Sequence, residues 1–190
     1  MKKAVLIFSI LLVILSNNIF AKGPGDKVSD FTIKNYDGNT YNLSSVKDAK
    51  GIVIMFWSAQ CPFVQGYNDR INDFVSNFQK QGFVFWAINS NNTESAADIE
   101  AHAKLHNYVF PVLKDENSVV ADIFEATRTP EVFVLNKDNV ILYHGRIDDN
   151  KNKDEVTSYD LQNALNDISN GKEIAVKATK QFGCSIKRSN

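Results

Sequence analysis

Residues Phe56–Val64, "FWSAQCPFV", follow the short apolar run "GIVIM" and precede a segment with the hydrophobic period of a helix. An uninterrupted apolar run of this length is typical of a strand buried on both faces, so the stretch spans a strand-to-helix junction. Cys61, one of only two cysteines in the chain, lies at that junction. A local dithiol site would need a second cysteine three residues later, where Val64 stands.

The segments after Cys61 predict how its strand is paired. Apolar residues spaced three and four apart from Val64 to Gln81 predict a helix, and "FVFWAINS" at residues 83–90 predicts a second buried strand. A strand, a helix and another strand in this order form a right-handed crossover unit, so the two strands are expected to be parallel neighbours.

The rest of the chain predicts further helices and strands around this unit. Asp37-Gly38 is a hairpin signal between two alternating segments. The other predicted elements are a helix within 93–108 capped by Thr93 or Ser95, an extended piece at 110–115, a short helix at 117–126, two strands joined by a tight turn within 129–147, and a helix at 157–171 opened by a capping box of Thr157 and Asp160. The order predicts an α/β fold, an α/β/α sandwich with a mixed central sheet and an N-terminal β-hairpin.

The N-terminus predicts export. Lys2 and Lys3 precede the apolar run "AVLIFSILLVIL", and Ala21 is a small residue at a plausible cleavage position, so residues 1–21 are expected to be a signal peptide. The alternative is an uncleaved anchor, but the run is shorter than the ~20 apolar residues that span a bilayer. We therefore expect a periplasmic protein without stable membrane association, formed by one domain at residues 22–190 with a C-terminal tail at 172–190 that has no clear period.

Charge and cysteine content limit the function classes. The net charge is −1, and the loss of two lysines with the leader makes it −3, so no basic excess indicates nucleic-acid binding. In an oxidising compartment two cysteines allow one pairing, Cys61 with Cys184, and on cysteine count alone this would be a structural disulfide.

The predicted position of Cys61 favours reactivity. A helix N-terminus carries partial positive charge and unpaired N–H groups, which lower the pKa of a cysteine and favour the reactive thiolate. Pro62 suits the first helical turn, since it has no N–H to leave unpaired. The alternative is an inert buried cysteine. Thr129-Pro130, just before the predicted strand "EVFVL", is either an ordinary strand start or a cis peptide in a tight turn.

Three separated motifs carry a resemblance that covers the chain from about Gly23 to Lys187. "MFWSAQCPFV" with its following helix is similar to the active-site segment of thioredoxin-fold proteins, and "RTPEVFVLNKDN" is similar to their cis-proline loop and next strand. "CPFV", "GRIDD" (residues 145–149) and "GCSIK" (residues 183–187) together resemble a peroxiredoxin-like branch of the alkyl hydroperoxide reductase/thiol-specific antioxidant (redoxin) group. The resemblance implies a thioredoxin-like fold and a redox-active cysteine.

The chain departs from the family patterns at several positions. Disulfide-exchanging thioredoxins have a second cysteine where Val64 stands. Peroxiredoxins carry a proline and a threonine where this chain has Ile54 and Ser58, and Ser58 keeps a hydroxyl that could bond a thiolate or a peroxide oxygen. They also hold an arginine near the cysteine, for which Arg128 is the candidate by position, ahead of Arg70 and Arg146.

The resemblance implies roles for the residues around Cys61. Cys61 is the expected nucleophile, Pro130 the cis-proline packed against it, Thr129 a residue that exposes backbone to an extended substrate, and Phe63 a further substrate contact. Three alternatives stay open for Cys184: a resolving cysteine that attacks oxidised Cys61, a permanent disulfide partner that closes a loop of more than 100 residues, or a cysteine independent of Cys61.

The other polar motifs have simpler interpretations. His102 and His106 lie four apart on a predicted helix without a third ligand, so a solvated face is expected rather than a metal site. Arg146, Asp148 and Asp149 in "GRIDD" form either a loop ion pair or a substrate contact. No metal, flavin or nucleotide is expected as cofactor.

Two functions of different class follow. The first is a thiol oxidoreductase that reduces a peroxide or a disulfide through Cys61 and is recycled by Cys184 or an external thiol reductant. The second is a non-catalytic binding module that uses the cis-proline groove, with Cys61 vestigial or in a structural disulfide with Cys184.

Overall fold

A computed structural model describes residues 22–188. The predicted leader, residues 1–21, lies outside the described residues. Within residues 22–188 no helix is both long and apolar enough to cross a bilayer. The strands are β1 (Thr32–Lys34), β2 (Thr40–Asn42), β3 (Gly51–Phe56), β4 (Phe83–Asn89), β5 (Val112–Lys114), β6 (Arg128–Thr129), β7 (Glu131–Leu135), β8 (Ile141–Gly145) and β9 (Cys184–Ser185). The α-helices are α1 (Pro62–Gln65), α2 (Ile71–Gln79), α3 (Ala96–Leu105), α4 (Val119–Phe124) and α5 (Asp160–Ser169).

A five-stranded mixed sheet, in the order β5-β4-β3-β7-β8, forms the centre of the domain. Strands β3, β4 and β5 are parallel, whereas β7 is antiparallel to both β3 and β8. The predicted parallel pairing across the first crossover is confirmed, and so is the N-terminal hairpin, in which β1 pairs antiparallel with β2. The predicted α/β fold with a mixed central sheet is therefore correct.

Alternate residues of the central strand face two separate apolar layers. Val53 and Met55 point into a cluster that includes the buried faces of α2, α3 and α5. Ile54 and Phe56 point into a second cluster with α4 and the N-terminal hairpin. All six residues of β3 are buried, as the uninterrupted apolar run predicts. The helix α3 begins at the predicted cap Ser95, whose side chain and that of Asp98 form a capping box.

The single helix predicted from Val64 to Gln81 is wrong, because α1 and α2 are separate. The intervening turn is fixed by the loop after β8 rather than by local propensity. The Tyr67 hydroxyl donates to Asp148 Oδ1 at 2.7 Å, and Arg70 Nη1 pairs with Asp148 Oδ2 at 2.9 Å. Arg70 also donates to the carbonyl of Asn150 at 2.9 Å. These contacts hold Arg70 outside the helical φ range, so α2 starts afresh at Ile71.

The predicted capping box of Thr157 and Asp160 is also wrong. Both the backbone N–H and the hydroxyl of Thr157 donate to the carboxylate of Asp149 instead. Helix α5 begins only at Asp160, without a side-chain cap on Tyr159. Because the Thr157 hydroxyl is hydrogen-bonded to Asp149 in the preceding loop, it does not cap the helix.

The turn between α1 and α2 gives a stability prediction. Gly66 has an ordinary helical φ of −63°, but a Cβ there would lie 2.7 Å from the carbonyl oxygen of Lys151. Gly66→Ala should therefore lower the free energy of unfolding by about 1–3 kcal/mol, because two backbone segments must move apart. Urea unfolding of the reduced protein measures this.

Gly23→Ala is the control, because a Cβ at Gly23 meets no atom within 4 Å. It should stay within about 0.5 kcal/mol of the parent. Equal stability of the two variants would show that the Gly66 contact does not constrain the turn.

Candidate active site

The site forms where the carboxyl end of β3 meets α1. Cys61 is the residue that precedes the helix, Pro62 is its first residue, and the N–H of Gln65 donates to the Cys61 carbonyl at 3.0 Å. The side chain of Cys61 belongs to the core and only 2% of the residue is exposed. As predicted, Cys61 lies at a strand-to-helix junction, with a proline that leaves no donor unpaired.

The C-terminal tail covers Cys61. Strand β9 pairs antiparallel with β6, which places Cys184 opposite Thr129 and Ser185 opposite Arg128. The two Sγ atoms of Cys61 and Cys184 are 2.7 Å apart, and both cysteines are free thiols. The alternative in which Cys184 is independent of Cys61 is therefore wrong: the tail lacks a hydrophobic period, yet it brings the second thiol to the first.

A glycine permits this close approach. Gly183 has a φ of 152°, and a Cβ on it would lie 2.1 Å from the carbonyl oxygen of Thr129. Next to it, Phe182 packs edge-on against Phe63, with ring centroids 5.8 Å apart. Ile186 is buried and its N–H donates to the carbonyl of Thr127 at 2.9 Å. The tail is thus held by backbone pairing and by apolar contacts on both sides of Cys184.

The environments of the two thiols shift their pKa values in opposite directions. Burial opposes ionisation of Cys61, but hydrogen bonds from the Cys184 thiol, the Val64 N–H and the Cys184 N–H, together with the nearby Thr129 side chain, outweigh it and lower the pKa of Cys61. Burial raises the pKa of Cys184 to about 11, and the hydrogen bond and negative charge of Cys61 add to this rise. Of the two thiols, Cys61 is therefore the one that ionises first, and Cys184 is the one that keeps its proton to higher pH.

The Thr129–Pro130 peptide bond is cis and lies beside Cys61. When protonated, Cys61 donates to the Thr129 carbonyl oxygen at 3.1 Å. Contrary to expectation, the Thr129 backbone is not open to an extended substrate, because the chain's own Cys184 is paired with it. The Thr129 hydroxyl is buried and has no hydrogen-bond partner among the described residues.

The side chains of the other predicted site residues make their contacts with groups other than the two thiols. The Ser58 hydroxyl donates to Glu94 Oε1 at 2.5 Å, so its proton is not directed at Cys61. Arg128 Nη1 donates to the carbonyl of Gly183 at 3.1 Å and so supports the tail. Phe63 contacts the tail through Phe182, as described above, and so is covered by the chain itself.

The charged residues of the "GRIDD" motif pair with groups outside the motif rather than with one another, so the expected ion pair within the loop is not formed. Arg146 Nε pairs with Asp160 Oδ2 at 2.6 Å, and Arg70 pairs with Asp148. Arg70 and Arg146, the less favoured candidates for an arginine near Cys61, are therefore paired with carboxylates of this chain. Burial raises the pKa of Asp148, against the hydrogen bond from Tyr67 and the charge of Arg70.

The histidines of α3 are not a solvated face. His102 and His106 lie 4.6 Å apart between ring centroids, and both contact the ring of Tyr108. Burial and the neighbouring His106 lower the pKa of His102. Within residues 22–188 no group of three or more His, Cys, Asp or Glu side chains is arranged to hold a metal ion.

A buried carboxylate that the sequence interpretation missed supports the loop before Cys61. Glu94 is 1% exposed, and it accepts hydrogen bonds from Ser58, the Ala59 N–H (2.7 Å), Asn89 (3.0 Å) and Asn91 (2.7 Å). The available signal was the polar run "NSNNTE", which begins at the last residue of β4, because β4 is a parallel neighbour of β3 and ends at the same edge of the sheet.

The opposed pKa shifts can be measured through thiolate absorbance during a pH titration of the reduced protein. One thiol should ionise below the ordinary cysteine range and the other at about 11. In Cys61→Ser the pKa of Cys184 should fall below about 11 but stay raised, because the negative charge beside it is lost while its burial remains. In Cys184→Ala the pKa of Cys61 should rise, because a hydrogen-bond donor is lost. Two thiols that titrate together near the ordinary value would refute the assignment of Cys61 as the thiolate.

Comparison with known proteins agrees with this geometry. Residues 24–144 match the model of the AhpC/TSA family. The chain is 30% identical over 152 residues to chloroplastic peroxiredoxin Q of Populus jackii, across 74% of this chain and 70% of that protein. It is 24% identical over 144 residues to the thiol-disulfide oxidoreductase ResA of Geobacillus kaustophilus, across 70% of this chain and 81% of that protein.

Solved structures show the same fold. A hypothetical protein of Sinorhizobium meliloti 1021 superposes with a TM-score of 0.83 at 30% identity, over 90% of this chain and 97% of that one. More distant neighbours, below 20% identity, include a thioredoxin domain of a thiol-disulfide oxidoreductase and bear on the fold alone. The fold is thus thioredoxin-like, and the match over residues 24–144 shows that this chain belongs to the AhpC/TSA family.

Proposed function

We propose that this protein is a thiol-dependent peroxidase in which Cys61 is the nucleophile and Cys184 the resolving cysteine. The observation that carries the proposal is the 2.7 Å separation of the two Sγ atoms, combined with a lowered pKa on Cys61 and a raised pKa on Cys184. The family includes proteins named peroxiredoxins, which supports a redox role for the reactive thiol.

The proposed cycle balances with the two cysteines and an external reductant. The Cys61 thiolate attacks one peroxide oxygen, the O–O bond breaks, and the leaving oxygen takes up a proton to form water or an alcohol. Cys61 is then a sulfenic acid. Cys184 attacks the sulfenic sulfur, the S–O bond breaks, water leaves and a disulfide forms. An external thiol reduces this disulfide by two exchange steps.

The pairing of β6 with β9 favours a peroxide over a protein disulfide as the oxidant. An extended protein substrate would need the backbone edge of Thr129, and the chain's own tail holds that edge. A peroxide needs no strand pairing and only a small displacement of the Cys184 side chain from Cys61. Reduction of a protein disulfide is the second candidate, favoured by the relative named a thiol-disulfide oxidoreductase.

We assign to the Thr129 hydroxyl the role of hydrogen-bond donor to the peroxide oxygen. In the peroxiredoxin pattern this donor is a hydroxyl three residues before the cysteine. The residue at that position here is Ser58, and its hydroxyl donates to Glu94 instead. The Thr129 hydroxyl is buried, lacks a partner among the described residues, and is one of the groups that lower the pKa of Cys61. A donor held beside the nucleophile in a water-poor site stabilises charge that develops on the leaving oxygen.

Export is part of the proposal. The charged and apolar start of residues 1–21 has the pattern of a signal peptide, so the working compartment is the periplasm and the reductant an external thiol. The non-catalytic binding module remains as the competing proposal. It would have to use the cis-proline groove that the tail now fills.

Consumption of hydrogen peroxide and of an organic hydroperoxide, with dithiothreitol as reductant, tests the function. The wild-type protein should consume peroxide, Cys61→Ser should fall to the uncatalysed rate, and Cys184→Ser should complete one turnover and accumulate a sulfenic acid that a dimedone reagent traps. Reduction of insulin disulfides is measured in parallel. If wild type and Cys61→Ser are equally inert in both assays, the enzyme proposal is lost. If only insulin is reduced, the disulfide candidate replaces the peroxidase.

The role of Thr129 has its own test. Thr129→Val keeps the shape but removes the hydroxyl, and it should lower kcat/KM for peroxide by about 100-fold. Thr129→Ser should recover most of that loss, since it restores the donor. The second-order rate of Cys61 alkylation by iodoacetamide, corrected for the thiolate fraction, should change little in either variant. Equal peroxide rates for valine and serine at this position would remove Thr129 from the mechanism.

A further inference from the structure

The tail beyond β9 has a second anchor, on the polar loop that follows β4. The N–H of Lys187 donates to Asn91 Oδ1 at 2.7 Å, and the N–H of Asn92 donates to the carbonyl of Lys187 at 2.8 Å. The Asn92 side chain also donates to the Arg188 carbonyl at 3.0 Å. This anchor begins three residues after Cys184, so it restrains the position of the thiol.

The side chain of Asn91 joins this anchor to the loop that carries Cys61. Asn91 is 4% exposed, and its Nδ2 donates to Glu94 Oε1 at 2.7 Å while its Oδ1 accepts from the tail. The same Glu94 carboxylate accepts from Ser58 and from the N–H of Ala59, two residues before Cys61. One amide therefore connects the segments that present the two sulfur atoms.

Only an amide satisfies both neighbours of Asn91. The position needs an acceptor towards a backbone N–H and a donor towards a carboxylate, and asparagine supplies one of each. An aspartate would place a second carboxylate against buried Glu94, and an apolar residue would remove one of the hydrogen bonds to Glu94 and leave the Lys187 N–H without its acceptor. Glu94 itself is fully satisfied, so it holds the Asn91 side chain in one orientation.

We propose that Asn91 is a positioning residue that sets the effective concentration of the Cys184 thiol at Cys61. The inference deepens the proposed function, since it identifies what holds the resolving cysteine in place. It concerns the formation of the Cys61–Cys184 disulfide, which is the product whichever oxidant reacts with the two thiols. Loss of the Asn91 contact frees the tail on one side, and the disulfide becomes easier to reduce.

Asn89 is a matched control on the same network. It is also a buried asparagine, 1% exposed, and its Nδ2 donates to Glu94 Oε2 at 3.0 Å. Its side chain makes no hydrogen bond to the tail in the described structure, because its Oδ1 accepts from the N–H of Asn91. Asn89→Ala thus removes a hydrogen bond to Glu94 but none to the tail. Asn91→Ala removes a hydrogen bond to Glu94 and also the one to the tail.

The experiment is an equilibrium titration of the full protein with reduced and oxidised glutathione, followed by alkylation and intact mass. In this equilibrium oxidised glutathione takes two electrons from the two thiols, giving the Cys61–Cys184 disulfide and two molecules of glutathione thiol. Asn91→Ala should shift the equilibrium about fivefold to tenfold towards the dithiol, in line with loss of one hydrogen bond to the tail. Asn89→Ala should stay within about twofold of wild type.

A second variant tests the same hydrogen bond in case Asn91→Ala folds poorly. Lys187 is exposed, and Lys187→Pro removes the N–H that donates to Asn91 while the asparagine stays in place. It should shift the equilibrium in the same direction. Equal shifts for Asn91→Ala and Asn89→Ala, or no shift in Asn91→Ala and Lys187→Pro, would overturn the proposal. Because glutathione is the only oxidant, the result stands apart from whether the protein reduces peroxides.

Discussion

The pairing of the two-residue strand β9 with β6 is the interaction on which the site depends. It brings together two cysteines that are 123 positions apart in the chain. The pairing needs a glycine at position 183, since any Cβ there would collide with the Thr129 carbonyl. Without it the chain would hold one buried thiol behind α1 and a second on an unattached tail. With it, the two sulfur atoms lie 2.7 Å apart.

The two thiols differ because their surroundings differ. Cys61 faces backbone N–H groups and a thiol donor, which offset the cost of burying its negative charge. Cys184 faces that charge, which keeps it protonated. In the proposed cycle this asymmetry sets the order of reaction: Cys61 attacks first, although it is the less exposed of the two sulfur atoms.

The supports around the nucleophile differ from those that the peroxiredoxin pattern implies. The hydroxyl of Ser58 is taken up by Glu94, and Arg128 holds the tail rather than a substrate. The unpartnered hydroxyl at the site is that of Thr129, in the cis-proline loop. The chain therefore has the fold of its family and a cysteine at the strand-to-helix junction, while different residues make the polar contacts around it.

Local sequence determined the strands of the central sheet, the Ser95 cap of α3 and the place of Cys61, because alternation, apolar runs and cap residues act within a few positions of one another. It also located the proline that proved to be cis, Pro130. The tertiary structure alone decided the separation of α1 from α2 and the course of the tail. Both depend on hydrogen bonds and close contacts between segments far apart in the chain, such as Gly183 against Thr129 or Lys187 against Asn91. No period in the tail encodes such contacts, because the tail makes them through backbone groups that every residue has.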